Sequence, residues 1–170
     1  MDELVIVSLD DKKYIPIQTD SLHEYYPAWH PLDNLLAFFE EIPHQGDLIQ
    51  IVRADGTGYR DIVHSTGVVE YPQWSPNGQM LVFTSAVDRF RDDLDNNYAL
   101  HVVVNDLGDE IMVQSDYRIE VPAWAPDNRH IAYIIREEGV RRLYSLDICT
   151  RETSLLVEEI SKHELLSWMP

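Results

Sequence analysis

The chain is short of cations. Thirteen lysines and arginines stand against 30 aspartates and glutamates in 170 residues, a formal net charge of −17. A surface with that excess of carboxylate repels phosphate backbones instead of displacing their counterions, which argues against a nucleic-acid partner and equally against anionic membranes. Cysteine is nearly absent. Cys149 is alone, so no intramolecular disulfide forms and the core holds without staples. Its apolar, strand-like surroundings predict a small buried hydrophobe and not a nucleophile. No apolar run approaches the roughly 18 residues that cross a bilayer, so membrane insertion is not expected. Met1-Asp2-Glu3 opens acidic, and the sequence as written carries no export signal. A native Met1 implies a cytoplasmic protein; a trimmed start leaves a periplasmic or other extracytoplasmic one.

Catalytic signatures are missing as well. There is no Gly-x-Ser-x-Gly, no His-Glu-x-x-His and no phosphate-cradling glycine loop. The seven histidines are dispersed without i,i+4 pairing, as surface or hydrogen-bonded residues are. These residues are therefore expected to hold no catalytic constellation, no metal and no cofactor. Sustained 3.6-residue apolar periodicity with caps is also absent, which excludes helical repeats.

What is present is repetition, on a composition of 45% hydrophobic and 10% aromatic residues that suits a folded domain with a core. The stretch from Tyr71 to Thr84 lies without a gap over Tyr26 to Phe39 and over Val121 to Ile134. Stacked, they align Pro27/Pro72/Pro122, Trp29/Trp74/Trp124, Leu36/Leu81/Ile131, Ala37/Val82/Ala132 and Phe38/Phe83/Tyr133. A fourth copy starts at Leu166-Ser167-Trp168, so tryptophan recurs at intervals of about 44 to 50 residues, a period that marks an array of repeated units. Four residues after Trp stand Asp33, Gly78 and Asn128, types that tolerate positive φ. With Pro two residues after Trp, each unit reads as strand, tight turn with a left-handed corner, then a β-rich strand.

A second hairpin type begins at Leu4, Ile49, Leu100 and Leu143, always about 25 residues before the next Trp, in phase with the first. The chain is thus a c–d hairpin, three rounds of a–b plus c–d, and the start of another strand a. The repeat units fall at about 1–25, 26–66, 71–116, 121–158 and 166–170. Four-stranded antiparallel units at this period predict an all-β fold, a β-propeller of about three and a half blades, with a stacked solenoid as the competing arrangement. The Pro-x-Trp-Ser-Pro-Asn-Gly pattern at Pro72 to Gly78, followed by Met80-Leu81-Val82-Phe83, resembles the TolB-like propeller repeat. The copies at Pro27 and Pro122 depart from it with His30-Pro31-Leu32-Asp33 and Ala125-Pro126-Asp127-Asn128. The resemblance implies a propeller that binds a protein or peptide without catalysis; the alternative it implies is the access-filtering propeller of a prolyl oligopeptidase-like or tricorn-like peptidase.

Two sets of residues are candidates for binding. Between strands b and c of the second unit the chain is longer than in its siblings, and the extra loop carries Asp88, Asp92, Asp93 and Asp95. Asp93-x-Asp95-x-Asn97 alternates oxygen donors as a calcium loop does, but Tyr98 and Val104 stand where the glycine and the closing glutamate would be needed, so a solvated recognition loop is the simpler reading. Four residues before Trp stand Glu70, Glu120 and Glu164, with Glu24 one place earlier in the first copy. At the head of an innermost strand they predict an acidic ring around one mouth of the channel, set against plain solvated strand-entry residues. Three blades with a c–d pair at one end and a lone strand a at the other leave bare blade faces. The chain is therefore expected to form a two-fold homodimer whose ends complete each other, with a closed four-bladed monomer as the alternative.

Overall fold

The computed structural model describes residues 4–10, 12–17, 24–42, 46–86, 97–104, 109–161 and 166–168. Among them every regular element is a β-strand. An N-terminal hairpin, β1 (Val5–Val7) and β2 (Tyr14–Pro16), precedes three four-stranded antiparallel sheets. The first blade is β3 (Glu24–Trp29), β4 (Leu35–Ile42), β5 (Gly46–Arg53) and β6 (Arg60–Ser65). The second is β7 (Val68–Trp74), β8 (Met80–Ala86), β9 (Tyr98–Val104) and β10 (Asp109–Ser115), and the third β11 (Arg118–Trp124), β12 (His130–Glu137), β13 (Val140–Asp147) and β14 (Thr153–Val157). Each sheet runs in chain order from its first strand to its fourth. The first strands of neighbouring blades meet, β3 against β7 and β7 against β11, as the inner strands of a propeller do. The architecture is the all-β propeller that the repeats predict.

Strand alternation explains why the blades stack. Leu36, Leu81 and Ile131, with Phe38, Phe83 and Tyr133, point back toward the preceding unit, whereas Ala37 and Val82 point forward. Ala37, Phe39, Ile49, Ile51 and Val63 of the first blade therefore pack against Val69, Leu81, Phe83 and Val103 of the second. Val82, Leu100 and Val102 of the second meet Ile119, Trp124, Ile131, Tyr133 and Leu146 of the third. The N-terminal hairpin takes the same place before the first blade, with Ile6 and Ile17 on Leu36, Phe38 and Val52. The core is thus divided among the joints between units.

The tryptophans hook each joint at its inner end. Trp124 Nε1 donates to Gln73 O at 3.1 Å, and Trp168 Nε1 donates to Ala123 O at 3.0 Å. In both cases the acceptor is the residue just before the preceding tryptophan. Trp168 thereby stands where the first strand of a further blade belongs. Trp74 breaks the series: its Nε1 is buried without a protein partner, and the His30 ring lies edge-on to its indole at 4.7 Å. The cause is visible in the sequence, since His30 occupies the position of the small residues Ser75 and Ala125.

Two local expectations need correction. Gly78 (φ 71°) and Asn128 (φ 58°) form the left-handed corner, closed by Gly78 N–H on Ser75 O and Asn128 N–H on Ala125 O. Asp33 does not adopt positive φ. There the His30 ring supplies the acceptor, taking the Asp33 amide on Nδ1 at 2.9 Å while Nε2–H donates to Gly78 O, also at 2.9 Å. Cys149 is exposed, not buried. It sits in the turn between β13 and β14, where Asp147 Oδ1 accepts its amide at 2.9 Å, and the polar turn wins over the apolar neighbours. Arg129 on Asp147, helped by these amides, holds that carboxyl well below the usual range.

The hooks make a comparative prediction. Trp124→Phe leaves Gln73 O without its donor and costs about 1 kcal/mol more than Trp74→Phe, which deletes a donor that has no partner. Urea unfolding of the two variants measures the difference; equal losses would show that the indole bond contributes nothing.

Candidate functional site

The inner strands share one distortion. Pairing in β3–β4 slips between Tyr25 and Ala28, in β7–β8 between Glu70 and Gln73, and in β11–β12 between Glu120 and Ala123. Each slip is a bulge at the same repeat position, and each contains the proline. Proline cannot donate to the ladder and bars its predecessor from the right-handed helical region. The predecessor takes the left-handed one: Tyr26 at φ 54°, Tyr71 at 58° and Val121 at 50°. For a β-branched valine this is a strained conformation. A bulge of this kind re-aims the side chain it carries.

Two of the re-aimed side chains meet. The rings of Tyr26 and Tyr71 lie 4.7 Å apart at 47°, and Tyr26 is also 6.4 Å from Phe39. The two tyrosine side chains hydrogen-bond each other. Burial, reinforced by the neighbouring tyrosine and by the charge of Glu70, pushes the Tyr26 hydroxyl above its ordinary range; burial and then Glu70 do the same for Tyr71. Both are neutral hydroxyls at physiological pH.

Beside them runs a chain of alternating charge. Arg118 Nη2 lies 3.1 and 3.0 Å from the two oxygens of Glu70, across the joint between the second and third blades. Arg118 Nε sits 3.5 Å from Glu120 Oε1, within ion-pair range but without hydrogen-bond geometry. Glu120 in turn receives Arg141 Nε at 3.1 Å. Burial alone would lower the Arg118 guanidinium, but Glu70, then Tyr71 and Glu120, outweigh it and raise its pKa. The arrangement is two carboxylates and two guanidiniums in register, a rigid and locally neutral surface.

Of the sequence candidates, Glu70 and Glu120 are therefore brought to neighbouring inner strands, each engaged by arginine. Glu164 and the loop residues Asp88, Asp92, Asp93 and Asp95 lie outside the described residues, as does the side chain of Glu24. Tyr26, Tyr71, Arg118 and Arg141 were not singled out from the sequence. The signal was there: Tyr26 and Tyr71 each precede the repeated proline. Among the described residues no group of three or more His, Cys, Asp or Glu is placed to hold a metal ion. Two concavities flank the site at a distance. One of about 130 Å³ at the first joint is lined by His30, Arg60, Trp74 and Gln79 among others; one of about 440 Å³ on the first blade includes Glu40, Gln50, Asp61 and His64.

With this geometry in place, solved structures give the class. No family model matches the chain, and no curated protein matches its sequence. The putative TolB from Agrobacterium tumefaciens superimposes with a TM-score of 0.69 at 15% identity, over 91% of this chain and 60% of that one. TolB from Acinetobacter baumannii gives 0.60 at 17% identity, over 75% of this chain and 31% of that one. An acylaminoacyl peptidase from Pyrococcus horikoshii gives 0.65 at 15%, over 93% and 28%. The fold is that of a β-propeller. Its structural neighbours are TolB-like proteins and the propellers of peptidases, and the chain spans less than two thirds of the length of each.

The tyrosine pair predicts an alkaline limit. Its raised pKa values make a contribution that is fully present below the ordinary tyrosine value of about 10 and lost as pH rises through the higher folded values. The Tyr26→Phe/Tyr71→Phe variant loses stability less steeply above that pH than the parent; identical slopes in urea unfolding would mean the pair carries no such linkage. Val121→Gly relieves strain at the third bulge and stabilises by up to about 1 kcal/mol after the entropic cost of glycine. A lower midpoint on thermal unfolding would show the valine to be unstrained.

Proposed function

We propose that the chain is a non-catalytic interaction module that binds a protein or peptide segment at the inner-strand face formed by Tyr26, Tyr71, Glu70, Arg118, Glu120 and Arg141. The observation that carries this is the repeated bulge: it costs backbone strain and uses it to present side chains away from the blade. Strain is expected where it serves a site. Aromatic rings with satisfied hydroxyls and an arginine–glutamate ladder are the groups that recognise peptide backbone and side chains, and tyrosine and arginine dominate binding energy at interfaces. The local neutrality of the ladder moves the reading away from a bare acidic ring that traps cations. The overall charge of −17 still steers basic partners toward the chain. The likeness to TolB structures supports this reading at the level of fold.

Selection from a random peptide library, with the fold checked by circular dichroism, tests it. Selected peptides should lose about 1–2 kcal/mol of affinity on Tyr71→Ala. Peptides that bind the Tyr26→Ala/Tyr71→Ala variant and the parent equally would end the proposal.

The likeness to the acylaminoacyl peptidase supports a second reading, a propeller that filters access to a separate catalytic domain. A native reading frame that continues into further repeats and a nucleophile elbow would select it.

A further inference from the structure

The interior joints reveal what each blade face is built to touch, and the two ends carry the same faces bare. Val52, Val103 and Leu146 occupy one repeat position on strand c, facing back, and are 0%, 4% and 0% exposed. Val7 occupies that position in the N-terminal hairpin and is 62% exposed, with its cross-strand partner Tyr14 at 72%. At the other end, Leu143 pairs with Val157 on the forward face of the third blade, as Ile49 pairs with Val63 in the first. Val63 is 7% exposed and Val157 40%. On that same forward face the strand-b residues Ala132 and Ile134 are already buried. The bare part is the c–d part alone, the width of a two-stranded hairpin.

We infer that a second copy of this chain covers these faces: the β1–β2 hairpin of one copy seats Val7 and Tyr14 on Leu143 and Val157 of the other, twice, around a two-fold axis. The surface missing at each end is the surface exposed at the other. Within the described residues the chain's own hairpin packs on the first blade and its outer side stays open, so the two ends do not cover one another. Trp29 fits the same pairing. It is 52% exposed, whereas Trp124, hooked onto the blade before it, is 9% exposed. In the dimer Trp29 Nε1 reaches the carbonyl of Ser167 of the second copy, the residue just before Trp168, repeating the bond of Trp124 to Gln73. The proposal is independent of which ligand the inner face binds.

Solution mass by light scattering over two decades of concentration tests the inference, with three proteins: the parent, Val7→Asp and Val157→Asp. Both substituted residues are exposed in the single chain, so the variants keep the monomer fold, which circular dichroism verifies. The parent should be a dimer. Each variant alone should be monomeric or dissociate at least about tenfold more readily, because a carboxylate enters both apolar contacts. An equimolar mixture of the two variants should recover dimer, since one of its two contacts joins an intact hairpin to an intact blade face. A monomeric parent overturns the inference and leaves the faces to further blades. A dimer that survives either substitution, or a mixture that recovers nothing, overturns the end-to-end arrangement.

Discussion

Everything in this chain hangs on the bond from an indole nitrogen to a backbone carbonyl one blade earlier. A β-sheet offers no edge for bonding to a sheet stacked on its face, so neighbouring blades are otherwise held by apolar contact, which has no direction and fixes no angle. The tryptophan supplies both. Its ring adds to the apolar joint and its N–H, buried there, needs an acceptor, which only one backbone oxygen provides. Each blade is thereby set at a defined rotation on the last, and the alternation of Leu36, Leu81 and Ile131 with Ala37, Val82 and Ala132 falls into place behind it.

The first joint shows what happens when this constraint is relaxed. His30 fills the space that Ser75 and Ala125 leave free, Trp74 loses its acceptor, and the imidazole takes over the task of linking the two turns through Gly78 O. The second joint instead links its turns through Asn77 N–H and Asn128 Oδ1 at 2.7 Å and adds the Arg118 bridge to Glu70. One architecture therefore tolerates different chemistry from joint to joint, as long as the apolar columns keep their phase.

The fold was legible because its determinants are local and repeated. Trp29, Trp74 and Trp124 with their prolines and turn residues mark strands and turns by sequence alone, and four copies in phase leave little choice of architecture. The site was legible only in part. Glu70 and Glu120 stand out by position, but their partners Arg118 and Arg141 have no counterparts in the first blade and lie on different strands, so no spacing rule pairs them. The left-handed Tyr26, Tyr71 and Val121 follow from a slipped ladder, a property of two strands together that neither strand carries by itself. Cys149 failed for a simpler reason: Asp147, two residues earlier, makes a turn that outweighs apolar neighbours.

The bulge has a consequence for how such a chain changes over generations. Its backbone path is imposed by the proline and by the two flanking strands, and the residue it displays is free of both, as the presence of tyrosine twice and valine once attests. Such a position can be rewritten without disturbing the blade that carries it. Propellers of this kind resemble a combination lock with one dial per blade, in which a partner can be changed by turning a single dial while the casing stays untouched.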